Sequence, residues 1–531
     1  MRFLIAISGP VAVGKSAVLK EFEARFGAVR VSTRPIILAR KGCPNERAAL
    51  QAAGDALDNE TGGAWVAEGV KEFLDTHDEP EILLVDAVRI NLQIDHLRRA
   101  FRDKVVHIHL TASAEVLSRR YQERPPELRE FETYEEVRAS ATERAVANLT
   151  SVADVVVNTD RSTPKGALAL AVASLGLFPL TTDRLVDVIV GAQFGSEGKG
   201  NICSYLANEY DVLMRVGGPN AGHKVPDPVY TYVQIPSGTR SNPNAKVLIG
   251  AGATIWVPRV LKETIDHGLT PDRFSVDPNA MIIHQSDRDL EGETLGVIGS
   301  TKQGVGAATA RKVMGRDGHS HLRASVRLAR DVPELKPFCR DTKVELEKAY
   351  TAGRRIMLEG TQGTDLSLHH GQYPHVTSRE TTASGCLADA GIPPHRVRRV
   401  VLVTRTYPIR VGGPSGELPN PVTPEIISQR SGLPVEQIEK TEVGSVSGTA
   451  RRIAEFDFEQ VRRSVVLNGA TDIALTFADY LDQRNQRATN FDELTDDTRT
   501  FIAEVERVTG VPVSLVSKAF DAHGVVDRRA W

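Results

Sequence analysis

The sequence predicts an α/β protein built from two P-loop-type domains, each a mostly parallel sheet flanked by helices. Three observations predict it. Short apolar runs alternate with charge-rich stretches of helical spacing. Two of those runs, RFLIAIS and LVDVIVG, lead directly into glycine-rich turns that carry a lysine. A chain of 531 residues is also too long for one core, so two or three domains are expected.

Taken in order, RFLIAIS reads as a buried strand, and KSAVLKEFEARF has apolar positions at helical spacing. EILLVDAV, KVVHIHLTA and ADVVVNT are further strand-length apolar runs. Between them, AEVLSRRYQER and TYEEVRASATERAVANL read as helices. LGLFPLTTDR (Leu175–Arg184) carries turn formers and breaks the alternation, and LVDVIVG then starts a second unit. The expected organisation is a first domain over 1–175, a connection over 176–184 and a second domain over 185–531.

Bulk properties narrow the function classes. The chain is 41% apolar and 25% charged with a net charge of −3, which is ordinary for a soluble globular protein and gives no general affinity for nucleic acid. Its four cysteines (Cys43, Cys203, Cys339 and Cys386) are widely separated, against a disulfide framework or a zinc site and in favour of a reducing compartment. The N-terminal apolar run enters a phosphate motif rather than a cleavage site, and no run of about 18 apolar residues exists. A cytoplasmic protein with neither nucleic acid nor membrane as partner is expected.

GPVAVGKS (Gly9–Ser16) satisfies G-x-x-x-x-G-K-[ST] between a strand and a helix. In that motif the loop amides from Gly9 to Gly14 cradle a β-phosphate, Lys15 reaches the β/γ oxygens and Ser16 ligates Mg2+. Asp86, at the end of ILLVD, is placed to hold the magnesium through water. Arg119, Arg120 and Arg124 are candidates for charge stabilisation of a transferring phosphoryl group, and Arg34 for the acceptor phosphate. Residues 1 to about 175 resemble the nucleoside-monophosphate-kinase group of P-loop proteins. The resemblance implies an ATP-dependent kinase with a small phosphate acceptor, a nucleotide.

In VIVGAQFGSEGKGN (Val188–Asn201), Gly195, Gly198 and Gly200 let the backbone approach an oxyanion, and Lys199 supplies positive charge. This stretch is followed in order by GGPNAGHKV, IPSG, IGSTKQGVGAA, LEGTQGTDLSLHHGQYPHVTSRETTASG, RTYPIRVGG and LTFADYLD. One such motif is weak evidence, but the ordered set resembles the adenylosuccinate synthetase family from about residue 184 to 531.

That resemblance implies a ligase that couples GTP hydrolysis to condensation of IMP with L-aspartate through a 6-phosphoryl purine. It implies that Lys199, Gly195, Gly198, Gly200 and Asn201 bind the triphosphate and that His223 is the acid near the β/γ bridge. The Gly222 carbonyl would ligate Mg2+, and Asp479 would read the base of the donor. Asn220, Thr301, Gln362 and Thr377 would contact the acceptor nucleotide, with Gln362 also catalytic. Arg451 and Arg452 would bind L-aspartate. A homodimer is implied, with Arg316 as the arginine that crosses to the other subunit.

The departures matter as much. Ser196 stands where the family has an aspartate that serves as base and magnesium ligand. A serine hydroxyl cannot hold a proton at neutral pH, so that duty passes to Glu197, to a water, or is lost. Serine is also shorter, and the vacated volume admits a 2-amino group on the purine. The same replacement is a feature of the phage-associated branch of the family that uses dGMP to make the 2-amino analogue of adenylosuccinate, a diaminopurine precursor. Phe477 replaces a family lysine, which opens ATP or dATP as donor beside GTP, and Gln303 replaces an arginine. Thr449 replaces another, which fits a 2′-deoxy acceptor. Acceptors dGMP, GMP and IMP therefore stay open, as does a nucleotide sensor that does not turn over.

Overall fold

The computed structural model describes the chain except for residues 126–128, 130, 179–181, 321, 445–447 and 522–523 and the side chains of 47 and 48. It divides into two units, Met1–Phe178 and Pro179–Trp531. Residues 179–181 of the expected connection lie outside the described residues, as do 445–447 at the head of GSVSGTARR.

The first unit holds a five-stranded, wholly parallel sheet. Its order is Val29–Ser32, Ile82–Asp86, Phe3–Ser8, Val105–Thr111, Val155–Asn158. Side-chain alternation along the first strand splits its apolar residues between two cores. Leu4 and Ala6 pack with Trp65, Val70 and Leu97 on one face, and Ile5 and Ile7 with Leu19, Phe22 and Leu168 on the other. The expected helix Lys15–Phe26 forms over the whole of KSAVLKEFEARF. The strand VRVS at Val29–Ser32 is an element the sequence reading missed. TYEEVRASATERAVANL forms two helices, Tyr134–Ala139 and Ala141–Asn148, because Ser140 leaves helical geometry and its side chain caps the second at Glu143 N–H.

The second unit is organised by a nine-stranded sheet in which every pairing is parallel except the last. Val186–Gly191 is central, between Ile356–Glu359 and Val397–Arg405. Beyond these lie Val212–Arg215, Lys246–Ile249 and Phe274–Val276 on one side, and Asp472–Thr476, Val513–Ser517 and Val525–Asp527 on the other. Near-continuous burial along VDVIVG is what a strand covered on both faces requires. A small antiparallel sheet of Ile409–Val411, Arg451–Ala454 and Pro421–Val422 stands apart from it. Among the described residues no helix is long and apolar enough to cross a membrane.

Candidate active sites

In both units a glycine-rich loop leaves the carboxyl end of an inner parallel strand and enters a helix, the position where open α/β sheets bind ligands. In the second unit that loop is shaped around one buried carboxylate. Glu197 is inaccessible to solvent; its Oε1 accepts the N–H of Gln193 at 3.1 Å and of Gly195 at 2.7 Å, and its Oε2 pairs with Lys199 Nζ at 2.6 Å. A Cβ at Gly191 would lie 2.5 Å from that Oε2, and one at Gly363 would lie 2.4 Å from Oε1, so the core leaves no room for a larger residue at either position. With both oxygens engaged and no path to solvent, Glu197 is arranged to hold the loop and Lys199, not to take a proton from a purine. Ser196 is the opposite case. It is exposed at φ 58°, its carbonyl accepts from Arg405 Nη1 at 3.4 Å, and it lines the cavity that opens over the loop.

That cavity has a volume of about 610 Å³. It brings together Gly198, Lys199, Gly200 and Asn201 with Gly222, His223, Arg451 and Asp479. Helix Lys199–Leu206 starts from Gly198 at φ 86°. A Cβ at Gly200 would sit 2.8 Å from His223 Cβ, so glycine there lets the helix start against the histidine. Gly195 turns away from the cavity and packs on the backbone of Gln362.

His223 is held by residues the sequence reading did not single out. Its Nδ1 bonds to Glu359, which also accepts from Arg215 Nη1 at 3.1 Å and from Ser237 N–H at 2.7 Å and Oγ at 2.6 Å. Nε2 is therefore the ring atom left for a ligand. Burial, reinforced by Arg215, pushes the imidazolium down to about 4. Burial alone would raise Glu359, but Arg215 and His223 overcome it and bring the carboxyl down to about 2. Glu359 lies inside LEGTQGT, where only its motif membership marked it.

Asp479 lines the same cavity together with Phe477. Its carboxyl is pushed up to about 6 by burial, against the Gln486 amide that donates to it at 3.2 Å. Arg451 lines the wall and pairs with Glu442 at 3.4 Å. Arg452 follows it on the same strand and donates instead to Ser415 Oγ at 2.9 Å and Gly416 O at 2.6 Å. The two expected aspartate ligands are thus not in one place.

The acceptor residues fall into two hydrogen-bonded pairs outside the cavity lining: Thr301 Oγ1 to Asn220 Oδ1 at 3.0 Å, and Gln362 Nε2 to Thr377 Oγ1 at 2.7 Å. Arg316 is exposed, and its Nε donates to Val313 O, 2.8 Å away.

In the first unit, Lys15 Nζ lies across its own loop, on Gly9 O at 2.5 Å and Pro10 O at 3.0 Å, and burial lowers its ammonium to about 8. Gly14 caps the helix at φ 101°, and Ser16, which follows Lys15, is exposed. Asp86 faces Arg30 at 3.6 Å, and burial raises its carboxyl. Arg120 donates to Thr159 Oγ1 at 2.9 Å, Thr159 O at 2.7 Å and Val13 O at 3.4 Å, so it braces the loop from behind. Arg124 packs on Tyr121, Arg119 is exposed, and Arg34 is tied to Asn45 at 2.8 Å. Glu143, unforeseen, accepts the Val11 N–H of the loop at 3.0 Å.

Among the described residues no group of three or more His, Cys, Asp or Glu is set to hold a metal. A magnesium ion in either loop would rest on the nucleotide's own phosphate oxygens with one protein oxygen, from Ser16 in the first unit and the Gly222 carbonyl in the second.

A parallel sheet, a glycine-rich loop at a carboxyl strand end and a histidine–carboxylate pair over that loop define the second unit as a nucleotide-dependent α/β enzyme. The adenylosuccinate synthetase family model matches residues 188–323 and 321–486. The adenylosuccinate synthetase of Pyrococcus horikoshii is 38% identical over 354 residues, covering 64% of this chain and 98% of that protein. That of Methanocaldococcus jannaschii is 38% identical over 352 residues, covering 64% and 96%. The chain belongs to the adenylosuccinate synthetase family. The fully ligated enzyme of Plasmodium falciparum shares the fold, with a TM-score of 0.56 at 20% identity over 65% of this chain and all of that one. Succinoaminodeoxyadenylate synthetase of cyanophage S-2L, solved with dGMP and with dATP as an energy donor, gives a TM-score of 0.53 at 28% identity, covering 66% and 96%.

Proposed function

We propose that the second unit joins L-aspartate to C6 of a 2-amino-6-oxopurine nucleotide, dGMP or GMP, at the expense of a nucleoside triphosphate, with ATP or dATP as donor. The observation that carries this reading is Ser196, a short, uncharged, exposed side chain at the mouth of the loop where the family's carboxylate stands. The cyanophage relative, described with dGMP and dATP, supports it.

The chemistry follows from the groups at hand. The lactam oxygen of the purine is a poor leaving group, so the γ-phosphoryl group is moved onto O6, breaking its bond to the β-bridge oxygen. The aspartate amine then attacks C6, the C6–O bond breaks, and inorganic phosphate leaves. His223, fixed at Nδ1 by Glu359, presents Nε2 to the phosphates. The triphosphate's negative charge raises its proton affinity from the low value that burial sets, so it can donate at the β/γ bridge. Lys199 and the loop amides offset the phosphate charge, and Phe477 offers an apolar face to the donor base. Magnesium, when bound, spreads charge over the phosphates. Ser196 leaves room at C2, and the N1 proton, which the serine hydroxyl does not take, passes to a water at the mouth of the loop.

The first unit is read as an ATP-dependent kinase for a purine nucleoside monophosphate. The protein is read as a homodimer through its second unit, with Arg316 available to the other copy.

The test is phosphate release with mass spectrometry, offering L-aspartate with GTP, ATP or dATP and with IMP, GMP or dGMP in turn. A succinylated product from dGMP or GMP bears out the 2-amino reading; product from IMP alone overturns it. In the kinase assay, Lys15→Ala should abolish nucleotide phosphorylation and leave aspartate ligation intact.

A further inference from the structure

Where the resembled family carries an arginine in the GSTKQG loop, this chain has Gln303, and a guanidinium arrives at the same loop from elsewhere. Arg288, on helix Gln285–Thr294, donates from Nη2 to Gln303 Oε1 at 3.3 Å. Gln303 Nε2 donates to Thr301 O at 3.0 Å, and Thr301 donates to Asn220. The guanidinium lies 4.7 Å from the centre of the Trp256 ring, a contact that orders it without neutralising it. The stem is fixed too, since a Cβ at Gly304 would lie 3.0 Å from Arg288 Cγ.

No carboxylate pairs with Arg288 among the described residues, although acids surround it along its own helix. Asp287 is taken by Arg311 at 2.6 Å, Asp289 by Gln285 at 2.8 Å, and Glu293 by Arg323 at 2.8 Å. Glu291 accepts the N–H groups of Gly304 and Gly306, both at 2.7 Å, and of Ala307 at 3.2 Å. Two residues before Trp256, Thr254 Oγ1 is buried with no hydrogen-bond partner among the described residues, and a Cβ at Gly218 would meet it at 2.2 Å. A half-buried, ordered guanidinium with no carboxylate partner among the described residues, at the loop that carries Thr301, is the composition of an anion site.

We infer that Arg288 binds an oxyanion of a substrate at the Thr301–Asn220 end of the site, either the phosphate of the acceptor nucleotide or a carboxylate of L-aspartate. Charge that the family places at position 303 comes here from the neighbouring helix. The inference rests on the reading of Thr301 and Asn220 as acceptor-nucleotide residues.

The experiment is steady-state kinetics on Arg288→Ala, Arg288→Lys and the double variant Arg288→Ala/Gln303→Arg, with calorimetric titration of each nucleoside monophosphate and of L-aspartate. The single alanine variant should raise KM for one of the two anionic substrates by about 10- to 100-fold with kcat little changed. Which KM moves identifies phosphate or carboxylate. The lysine variant should lose less, and returning the charge at position 303 should recover most of the loss, which a merely structural arginine would not allow. Unchanged KM and affinity for both substrates, or a loss that the double variant leaves in place, overturns the inference. If the full-length protein ligates aspartate to no acceptor, the functional reading fails by itself, and the titrations decide Arg288. Should the alanine variant not fold, Arg288→Lys and Gln303→Arg, each alone, carry the same comparison.

Discussion

The Arg405 guanidinium lies 3.9 Å from the centre of the Phe477 ring and pairs with Glu442, while its Nη1 reaches the Ser196 carbonyl. One buried cation therefore ties the loop that carries Ser196 to the cavity wall that carries Phe477 and Asp479. A lysine at 477, the residue of the resembled family, would set an ammonium against Arg405. At about 4 Å and an effective dielectric of about 20, two like charges cost about 4 kcal/mol before the side chain swings away. Phe477→Lys should therefore lower stability by about 2 kcal/mol in chemical denaturation and fail to create a guanine donor site. Phe477→Leu should keep stability within about 1 kcal/mol and raise KM for the donor several-fold without moving KM for the acceptor. An unaffected donor KM in Phe477→Leu would remove the ring from the donor pocket.

The His223–Glu359–Arg215 cluster sets an acid limit on stability. His223 has a folded pKa of about 4 against an ordinary 6.5. The unfolded chain thus takes the proton first, and stability falls as pH drops from 6.5 to 4. Glu359, at about 2 against 4.5, favours the folded state above 4.5 and loses that contribution as pH falls towards 2. Both have the same sign. His223→Asn should abolish ligation and flatten the stability profile between pH 6.5 and 4 by up to about 3 kcal/mol. Urea unfolding of the two proteins across that window checks it, and parallel profiles would show that the histidine titrates normally.

Much of this was legible because glycine and lysine spacing reports backbone geometry directly. GPVAVGKS and GAQFGSEGKGN each open at the strand end, and the helix expected after the first forms as Lys15–Phe26, while the second closes on helix Lys199–Leu206. The roles of single charged residues were less legible, since a carboxylate's task depends on who meets it in space. Glu197 read as a base from its place beside Ser196, yet folding turns it inward onto two amides and Lys199. Glu359, Arg215 and Arg405 sit at the carboxyl ends of three strands, where sequence alone shows only the end of an apolar run. Arg451 and Arg452, adjacent in sequence, part because neighbours on a strand point to opposite sides.

Asp479 gives a profile of the opposite sign. Burial raises its carboxyl to about 6 from 3.8, so the ionised form weakens the folded state fully above pH 6. The penalty fades as pH falls from 6 to 3.8, where the unfolded chain also protonates. Asp479→Asn should stabilise the ligand-free protein by up to about 3 kcal/mol at pH 8 and by nothing at pH 3.8. It should also cost any GTP-supported activity more than ATP-supported activity, because only guanine offers N1–H and an amino group to a carboxylate. Equal losses with the two donors would mean that Asp479 does not read the base.

The last prediction concerns Glu143, whose carboxylate already holds a loop amide next to Lys15. A triphosphate entering that loop brings more negative charge to the same place, so carboxylate and phosphate compete. Removing the charge in Glu143→Gln should tighten binding of a non-hydrolysable ATP analogue to the first unit by about tenfold at pH 7. The same change acts on Lys15 in the other direction. Burial lowers that ammonium to about 8, and Glu143 is the largest of the charges opposing the shift. Without it the lysine should lose its proton at a lower pH, so affinity should begin to fall below pH 8 in the variant and only near pH 8 in the parent chain. Calorimetric titration from pH 6.5 to 9 reads both effects, with Lys15→Ala isolating this loop from the one in the second unit. Tighter binding with an unmoved pH profile would leave the competition standing and remove the coupling to Lys15. Weaker binding at every pH would make Glu143 a support of the loop, which the nucleotide needs in place.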